Sequence, residues 1–139
     1  MYNKARRDDL GVHVDDAKVS IMAGVDSKNF DQPDETRTRD KTLVEIVRLG
    51  DTEVERFTFQ PGWRWSECIK PVVGTDSCQN DHVGYVESGR LSVEHEDGSQ
   101  VTLSPGDAYR IAPGHDAWVE GDEAFVAFEF RGAATYAKS

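Results

Sequence analysis

Three side chains that bind transition metals, Cys78, His82 and His115, lie in two short stretches of the sequence. Thiolate and imidazole are donor types that zinc and iron accept in proteins. Asp76 adds a carboxylate that is either a fourth ligand or a partner that orients a histidine. In the alternative interpretation, the histidines are hydrogen-bonded pocket residues and Cys78 is a small buried hydrophobe. The residue types therefore predict either one divalent metal, Zn or Fe, or a pocket with no cofactor.

Aromatic residues occur close to these side chains along the sequence, and they predict the walls of a ligand pocket. The candidates are Trp63, Trp65, Tyr85, Tyr109 and Trp118, with Asp76 as a polar lining residue. Aromatic walls around a few polar groups are typical of small-molecule sites. The same aromatic residues also suit a packed core, so both roles stay open. The sequence contains no nucleophile elbow, phosphate loop or dinucleotide-binding glycine motif, and it identifies no catalytic residue.

Short β-like runs separated by turn residues must position these side chains. The runs are 42–49, 53–60, 63–69, 82–86, 91–96, 101–103, 108–111, 118–119 and 123–130. Phe57 and Phe59 lie two residues apart, on one face of a strand. Runs of this kind, spaced by about 8–12 residues, predict an all-β sandwich or barrel. No segment carries a sustained helical stripe, which argues against a helical bundle or a dinucleotide-binding domain.

The N-terminal part of the chain differs from the rest in texture. Residues 1–26 are mostly polar and charged, and we expect a loose arm that contains an edge strand over 20–25. Residues 29–37 are rich in Pro, Asp and Asn, which favour turn geometry, and they predict a connector. Residues 27–139 are then expected to form a single barrel domain.

Two segments resemble the paired motifs of the cupin superfamily. They are 74–89 and 105–115, the second of which opens with a Pro-Gly-Asp turn. The resemblance extends over about residues 27–138 and includes 61–67 and 114–118. It implies a double-stranded β-helix, the jelly-roll cupin barrel. The sequence is similar to small single-domain bacterial and archaeal cupins of largely unassigned function.

The first cupin motif usually carries two histidines and a glutamate that bind a metal. With the motif anchored on Gly89, the two histidine positions fall on Asp76 and Cys78. The position of the glutamate falls on His82. The resemblance therefore implies a degenerate first-motif site in which a different donor type occupies each of the three positions.

The second cupin motif usually contributes one more histidine. That position falls on Ala117, while His115 lies two residues earlier. The usual ligands are thus replaced rather than kept, and a rearranged site of Cys78, His82 and His115 is the form that a metal centre would take here.

Composition excludes several classes of partner. The 26 acidic and 16 basic residues give a formal net charge of −10, the wrong sign for binding nucleic acid or anionic lipid. No run approaches the roughly 20 apolar residues of a membrane span. Two cysteines do not make a disulfide framework, so a cytoplasmic location is expected. The acidity reflects either ordinary solubility or a high-salt host.

Two functions are compatible with these features. The first is a small-molecule-binding cupin domain whose metal site is degenerate. The alternative is a metal-dependent cupin enzyme, an oxygenase or isomerase, that uses the rearranged Cys/His site. Cupins often pair through sheet edges or exchanged N-terminal strands, so the resemblance also implies a homodimer, which would cover an exposed edge.

Overall fold

A computed structural model describes residues 24–131, which form two antiparallel β-sheets. The strands are β1 (Glu35–Arg39), β2 (Thr42–Leu49), β3 (Thr52–Phe59), β4 (His82–Ser88), β5 (Arg90–His95), β6 (Gln100–Leu103), β7 (Ala108–Ile111), β8 (His115–Glu120) and β9 (Phe125–Arg131). The large sheet has the order β1-β2-β3-β9-β4-β7, and the small sheet has the order β6-β5-β8. Two one-turn helices, α1 (Trp65–Cys68) and α2 (Lys70–Val73), lie between β3 and β4.

Strand alternation decides which side chains enter the space between the sheets. On β3, Glu55, Phe57 and Phe59 share one face. The register pairs Phe57 with Ala127 and Phe59 with Phe125 on β9, so the inward faces of the two strands coincide. This pattern confirms the predicted all-β jelly roll. Over residues 24–131 the hydrogen bonding makes two sheets rather than one closed barrel.

Apolar side chains from both sheets form one core. Phe125 and Val86 from the large sheet are almost fully buried, and Leu91 from the small sheet belongs to the same cluster. Phe59 and Trp63 stack with ring centroids 3.9 Å apart and planes inclined by only 1°. Burial of aromatic side chains contributes much of the stabilisation in a domain of this size.

One glycine is required by the turn between β4 and β5. Gly89 has a φ of +76°, and a Cβ built on it would lie 2.3 Å from the carbonyl oxygen of Ala124. Both the left-handed conformation and the close approach to the start of β9 exclude a side chain.

Two predicted local structures are wrong. Residues 63–69, predicted as a strand, contain α1 instead; the Cys68 amide donates to the Arg64 carbonyl at 2.8 Å in the helical pattern. Trp63 and Trp65 are both buried, which mimics strand alternation in the sequence. The predicted connector 29–37 is a connector only in part, because β1 begins at Glu35.

The N-terminal predictions fall mostly outside the described residues. Of the expected edge strand, residues 20–23 are not described, and Gly24 and Val25 are not in a strand. The division of the chain at residue 26 stays a prediction. Within residues 24–131, no helix is long and apolar enough to cross a membrane.

Candidate metal centre

Backbone pairing brings Cys78 against the first residue of β8. The Cys78 amide donates to the His115 carbonyl at 2.8 Å, and the Gly114 amide donates to the Cys78 carbonyl at 2.7 Å. His82 opens β4, and strand alternation turns it inward together with Val86. Three residues separated by up to 37 positions in the sequence thereby share one part of the interior.

The three donor groups are close enough to bind one ion. One ligand atom from each of Cys78, His82 and His115 lies within 4.8 Å of the others. The Sγ of Cys78 is 3.7 Å from Nε2 of His82, and the two imidazole centroids are 5.1 Å apart. Tetrahedral zinc with ordinary bond lengths separates its ligand atoms by about 3.3–3.6 Å. The thiol and the first imidazole therefore need little adjustment to bind the same ion.

Hydrogen bonds determine which nitrogen of each histidine is available. Nδ1 of His115 is 2.8 Å from the Ala112 carbonyl oxygen, which can only accept, so Nδ1 carries the hydrogen. Nδ1 of His82 is 2.6 Å from Oε1 of Glu129, and the carboxylate accepts in the same way. When the imidazoles are neutral, both Nε2 atoms keep a lone pair. A carboxylate or carbonyl on the remote nitrogen is the usual support of a metal-bound histidine.

Glu129 is the centre of a buried network behind His82. Its side chain is 4% exposed, and its second oxygen, Oε2, accepts a hydrogen bond of 2.7 Å from the Tyr109 hydroxyl. Arg131 lies 3.7 Å from Oε1. Gly84 leaves the room for this network, because a Cβ there would lie 2.7 Å from the Tyr109 oxygen. Both oxygens of Glu129 are thus occupied in holding other side chains.

The surroundings favour the metal-binding form of the thiol. Burial raises the pKa of Cys78, but hydrogen bonds from His115 and His82 outweigh this effect and lower the pKa to about 6. Burial lowers the pKa of His82, whereas its bonds to Cys78 and Glu129 raise it to about 9. At neutral pH these pKa values give a Cys78 thiolate, the form of cysteine that ligates metals, beside a protonated His82. Metal binding would release the proton from Nε2 of His82.

A cavity of about 500 Å³ adjoins these three residues. Trp63, Trp65 and Tyr109, three of the predicted pocket residues, line it. Its other aromatic walls are Phe57, Phe59 and Phe125. The volume lies within the range of small-ligand sites, about 300–1,000 Å³.

The other predicted pocket residues, Asp76, Tyr85 and Trp118, do not line this cavity. Asp76 is exposed in the segment that follows α2. Tyr85 alternates with the inward residues of β4 and is 46% exposed. Trp118 alternates with the inward residues of β8; its indole donates to Glu120 at 3.0 Å, and the Arg64 guanidinium lies over its ring. Strand alternation explains why Tyr85 and Trp118 face away from the cavity.

Charged residues of the cavity were missed in the sequence. Glu55, Glu129 and Arg131 all line it, and Glu55 pairs directly with Glu129 across β3 and β9. A signal for them was available, because Glu55 has the same parity as Phe57 and Glu129 the same parity as Ala127. Acidic residues at inward positions of apolar strands stand out only when the inward face is known.

Solved structures from several bacteria resemble the fold of this chain. A protein of unknown function from Rhizobium leguminosarum bv. viciae 3841 matches with a TM-score of 0.57 and 21% identity over 78% of this chain and 96% of its own. A cupin-2 domain protein from Rhodospirillum rubrum matches with a TM-score of 0.50 and 18% identity over 78% and 68% of the chains. The chain has the cupin fold. KdgF from Halomonas sp. is similar to this chain too, with a TM-score of 0.51 and 25% identity over 74% and 90% of the chains.

Sequence comparison adds nothing to this assignment. No protein-family model matches this chain, and no curated protein is significantly similar to it. The solved structures thus show the cupin fold that was predicted, while the interpretation of the site rests on the geometry of its own residues.

Proposed function

We propose that the protein is a metal-dependent cupin enzyme that acts on a small molecule in the cavity between the two sheets. One divalent metal, Zn or Fe, would be held by Cys78, His82 and His115. The observation that carries the proposal is the convergence of these three donors beside the cavity, with a separate hydrogen bond on Nδ1 of each histidine.

The donor set fits such an ion. One thiolate and two neutral imidazoles suit zinc and iron. Three protein ligands leave a coordination position for a ligand atom or water, which is the arrangement of catalytic rather than structural zinc sites. A bound divalent metal would polarise a carbonyl oxygen of the substrate.

Glu55 gives the cavity a group that can move a proton. Its side chain is buried, Oε2 accepts a bond of 3.3 Å from Nε of Arg131, and within residues 24–131 Oε1 has no hydrogen-bond partner. Burial raises the pKa of Glu55; the charge of Arg131 opposes this rise, and the charge of Glu129 adds to it. A carboxyl group in such surroundings suits general acid–base catalysis.

These groups favour an isomerase over an oxygenase. In the proposed step, Glu55 takes a proton from the carbon next to the substrate carbonyl, so that a C–H bond breaks and an O–H bond forms. Glu55 then returns the proton to a different atom of the same molecule. No oxidant or second substrate is needed.

A non-catalytic small-molecule binder is the second candidate. It is favoured by the loss of the usual cupin donors, since Ala117 occupies the histidine position of the second motif and Asp76 is exposed. In this role the polar residues of the cavity would only hold the ligand.

Metal analysis of protein purified without a histidine tag tests the metal centre. We expect about one equivalent of metal in the wild type and loss of it in Cys78→Ser and His82→Ala. Cys68→Ser and His95→Ala are the matched controls, because the same residue types are changed outside the cavity. Near-zero metal in the wild type, or equal metal in all variants, would contradict the proposal.

Proton exchange distinguishes the enzyme from the binder. The metal-loaded protein is incubated in deuterium oxide with a panel of small α-keto and α-hydroxy acids, and NMR follows the hydrogen next to the carbonyl or hydroxyl carbon. We expect the wild type to exchange this hydrogen of at least one acid faster than Glu55→Gln, at equal metal content. If the wild type and Glu55→Gln exchange this hydrogen at equal rates for every acid of the panel, the non-catalytic binder is favoured instead.

A further inference from the structure

Two arginines of β1 lie on the solvent-exposed side of the cavity. Arg37 and Arg39 lie two residues apart on the strand, so their side chains share one face, and both line the cavity. The register places Arg37 beside Val44 and Arg39 beside Thr42, two inward positions of β2. Because β1 is the edge strand of the large sheet, both guanidinium groups are open to solvent and to an incoming ligand.

Arg39 differs from every other charged residue of the cavity wall in its partners. Elsewhere on that wall each charge meets an opposite one: the pairs are Arg37–Glu35 at 2.6 Å, Glu53–Arg48 at 2.9 Å, Glu55–Arg131 at 3.3 Å and Glu129–His82 at 2.6 Å. Arg39 donates only to the carbonyl oxygen of Thr38, at 2.8 Å, and within residues 24–131 it has no carboxylate partner. An arginine without an acidic partner is notable in a chain of net charge −10.

We propose that Arg39, assisted by Arg37, binds the carboxylate of a small organic acid that occupies the cavity. The inference rests on the proposed function, since it names the chemical class of the ligand at that same site. The planar guanidinium donates two parallel hydrogen bonds to a carboxylate, an arrangement that a lysine cannot reproduce.

The net charge of the protein makes a local cation useful. A chain of charge −10 repels small anions in solution. A guanidinium at the cavity entrance offsets this repulsion where the ligand enters. The apolar wall formed by Phe57, Phe59 and Trp63 then accommodates the carbon skeleton between the carboxylate and the metal-binding residues.

Dicarboxylates of increasing length test the inference. Malonate, succinate, glutarate and adipate are titrated calorimetrically into zinc-loaded protein at constant ionic strength, each beside its neutral diamide. A charge-assisted hydrogen bond corresponds to a preference of about tenfold or more. We expect at least one acid to bind about tenfold more tightly than its diamide.

Substitutions locate the preference. Arg39→Gln is expected to remove most of it, and Arg39→Lys to keep only part of it. Arg110→Gln is the matched control: Arg110 is an exposed arginine of β7 that does not line the cavity, so this variant should bind like the wild type.

The outcomes separate this inference from the proposed function. An acid preference that is absent for all four chain lengths, or that Arg39→Gln leaves unchanged, overturns the inference even when the protein carries a full equivalent of metal. A wild type that holds no metal overturns the metal centre instead. An Arg39-dependent preference in that metal-free protein would still support the carboxylate site.

Discussion

The replacement Glu129→Gln tests whether the buried carboxylate positions His82 for metal binding. Glu129 accepts from Nδ1 of His82 at 2.6 Å and from the Tyr109 hydroxyl at 2.7 Å, and its side chain is 4% exposed. Glutamine keeps the shape and one acceptor oxygen, but it removes the negative charge. The substitution therefore changes the strength of the bond to His82 more than the packing of the core.

The expected magnitude follows from the type of hydrogen bond. A bond with one ionised partner is worth about 1.5–3 kcal/mol, roughly twice the value for a neutral pair. Losing about half of that energy, about 0.75–1.5 kcal/mol, lowers the affinity for zinc by about 4–13-fold. Changes behind a metal-bound histidine usually cost about 10–100-fold in affinity. We therefore expect Glu129→Gln to lower the affinity for zinc by about tenfold.

Competition with a chelator of known zinc affinity measures the effect, and urea unfolding of the metal-free protein measures packing separately. Glu120→Gln is the matched control. Glu120 also accepts from two side chains, Ser92 at 2.7 Å and Trp118 at 3.0 Å, but it lies outside the cavity. This control should leave the zinc affinity unchanged.

One result would refute the reasoning. If Glu129→Gln binds zinc as tightly as the wild type while His82→Ala does not, the packing around His82 alone holds the imidazole in place. The carboxylate would then have no part in the metal centre.

Three further predictions concern stability, each measured by urea unfolding. Gly84→Ala should destabilise the protein by about 1–3 kcal/mol, because the new Cβ would lie 2.4 Å from the Phe128 carbonyl oxygen. Gly24→Ala, whose Cβ would meet nothing within 4 Å among residues 24–131, should be neutral, and equal effects would contradict the explanation. Phe125→Ala should cost about 3–5 kcal/mol because the side chain is 1% exposed; a smaller loss would mean that the core collapses around it. Burial raises the pKa of Glu55 above its usual 4.5, so the folded state holds the proton more tightly than the unfolded state does. The stability of the wild type relative to Glu55→Gln should therefore fall as the pH rises above 4.5. A stability difference that does not depend on pH would be inconsistent with the raised pKa.

Several features of the fold were predictable from local patterns. The run 42–49 coincides with β2, and the run 108–111 coincides with β7. Alternation and turn glycines act over a few neighbouring residues, so they can be recognised without knowing the partners of a strand. The short helix α1 was not predictable in this way, because the burial of both Trp63 and Trp65 imitates a strand.

The candidate site was predictable only in part. Cys78, His82 and His115 could be selected because thiol and imidazole groups are few in this chain and have distinctive chemistry. The two cavity glutamates, Glu55 and Glu129, could not be selected from 26 acidic residues by type alone. Their importance depends on facing the interior at directly opposed positions of β3 and β9.

The sequence by itself determined the all-β class, most strand positions and the donor types of the candidate metal centre, because each depends on residue type or short-range alternation. Only the tertiary structure decided that Glu129 meets His82, 47 residues away, and that Trp118 faces outward. The pairing of distant strands selects the face of each strand that is buried, and the pairing of strands far apart in the sequence is not visible in local alternation.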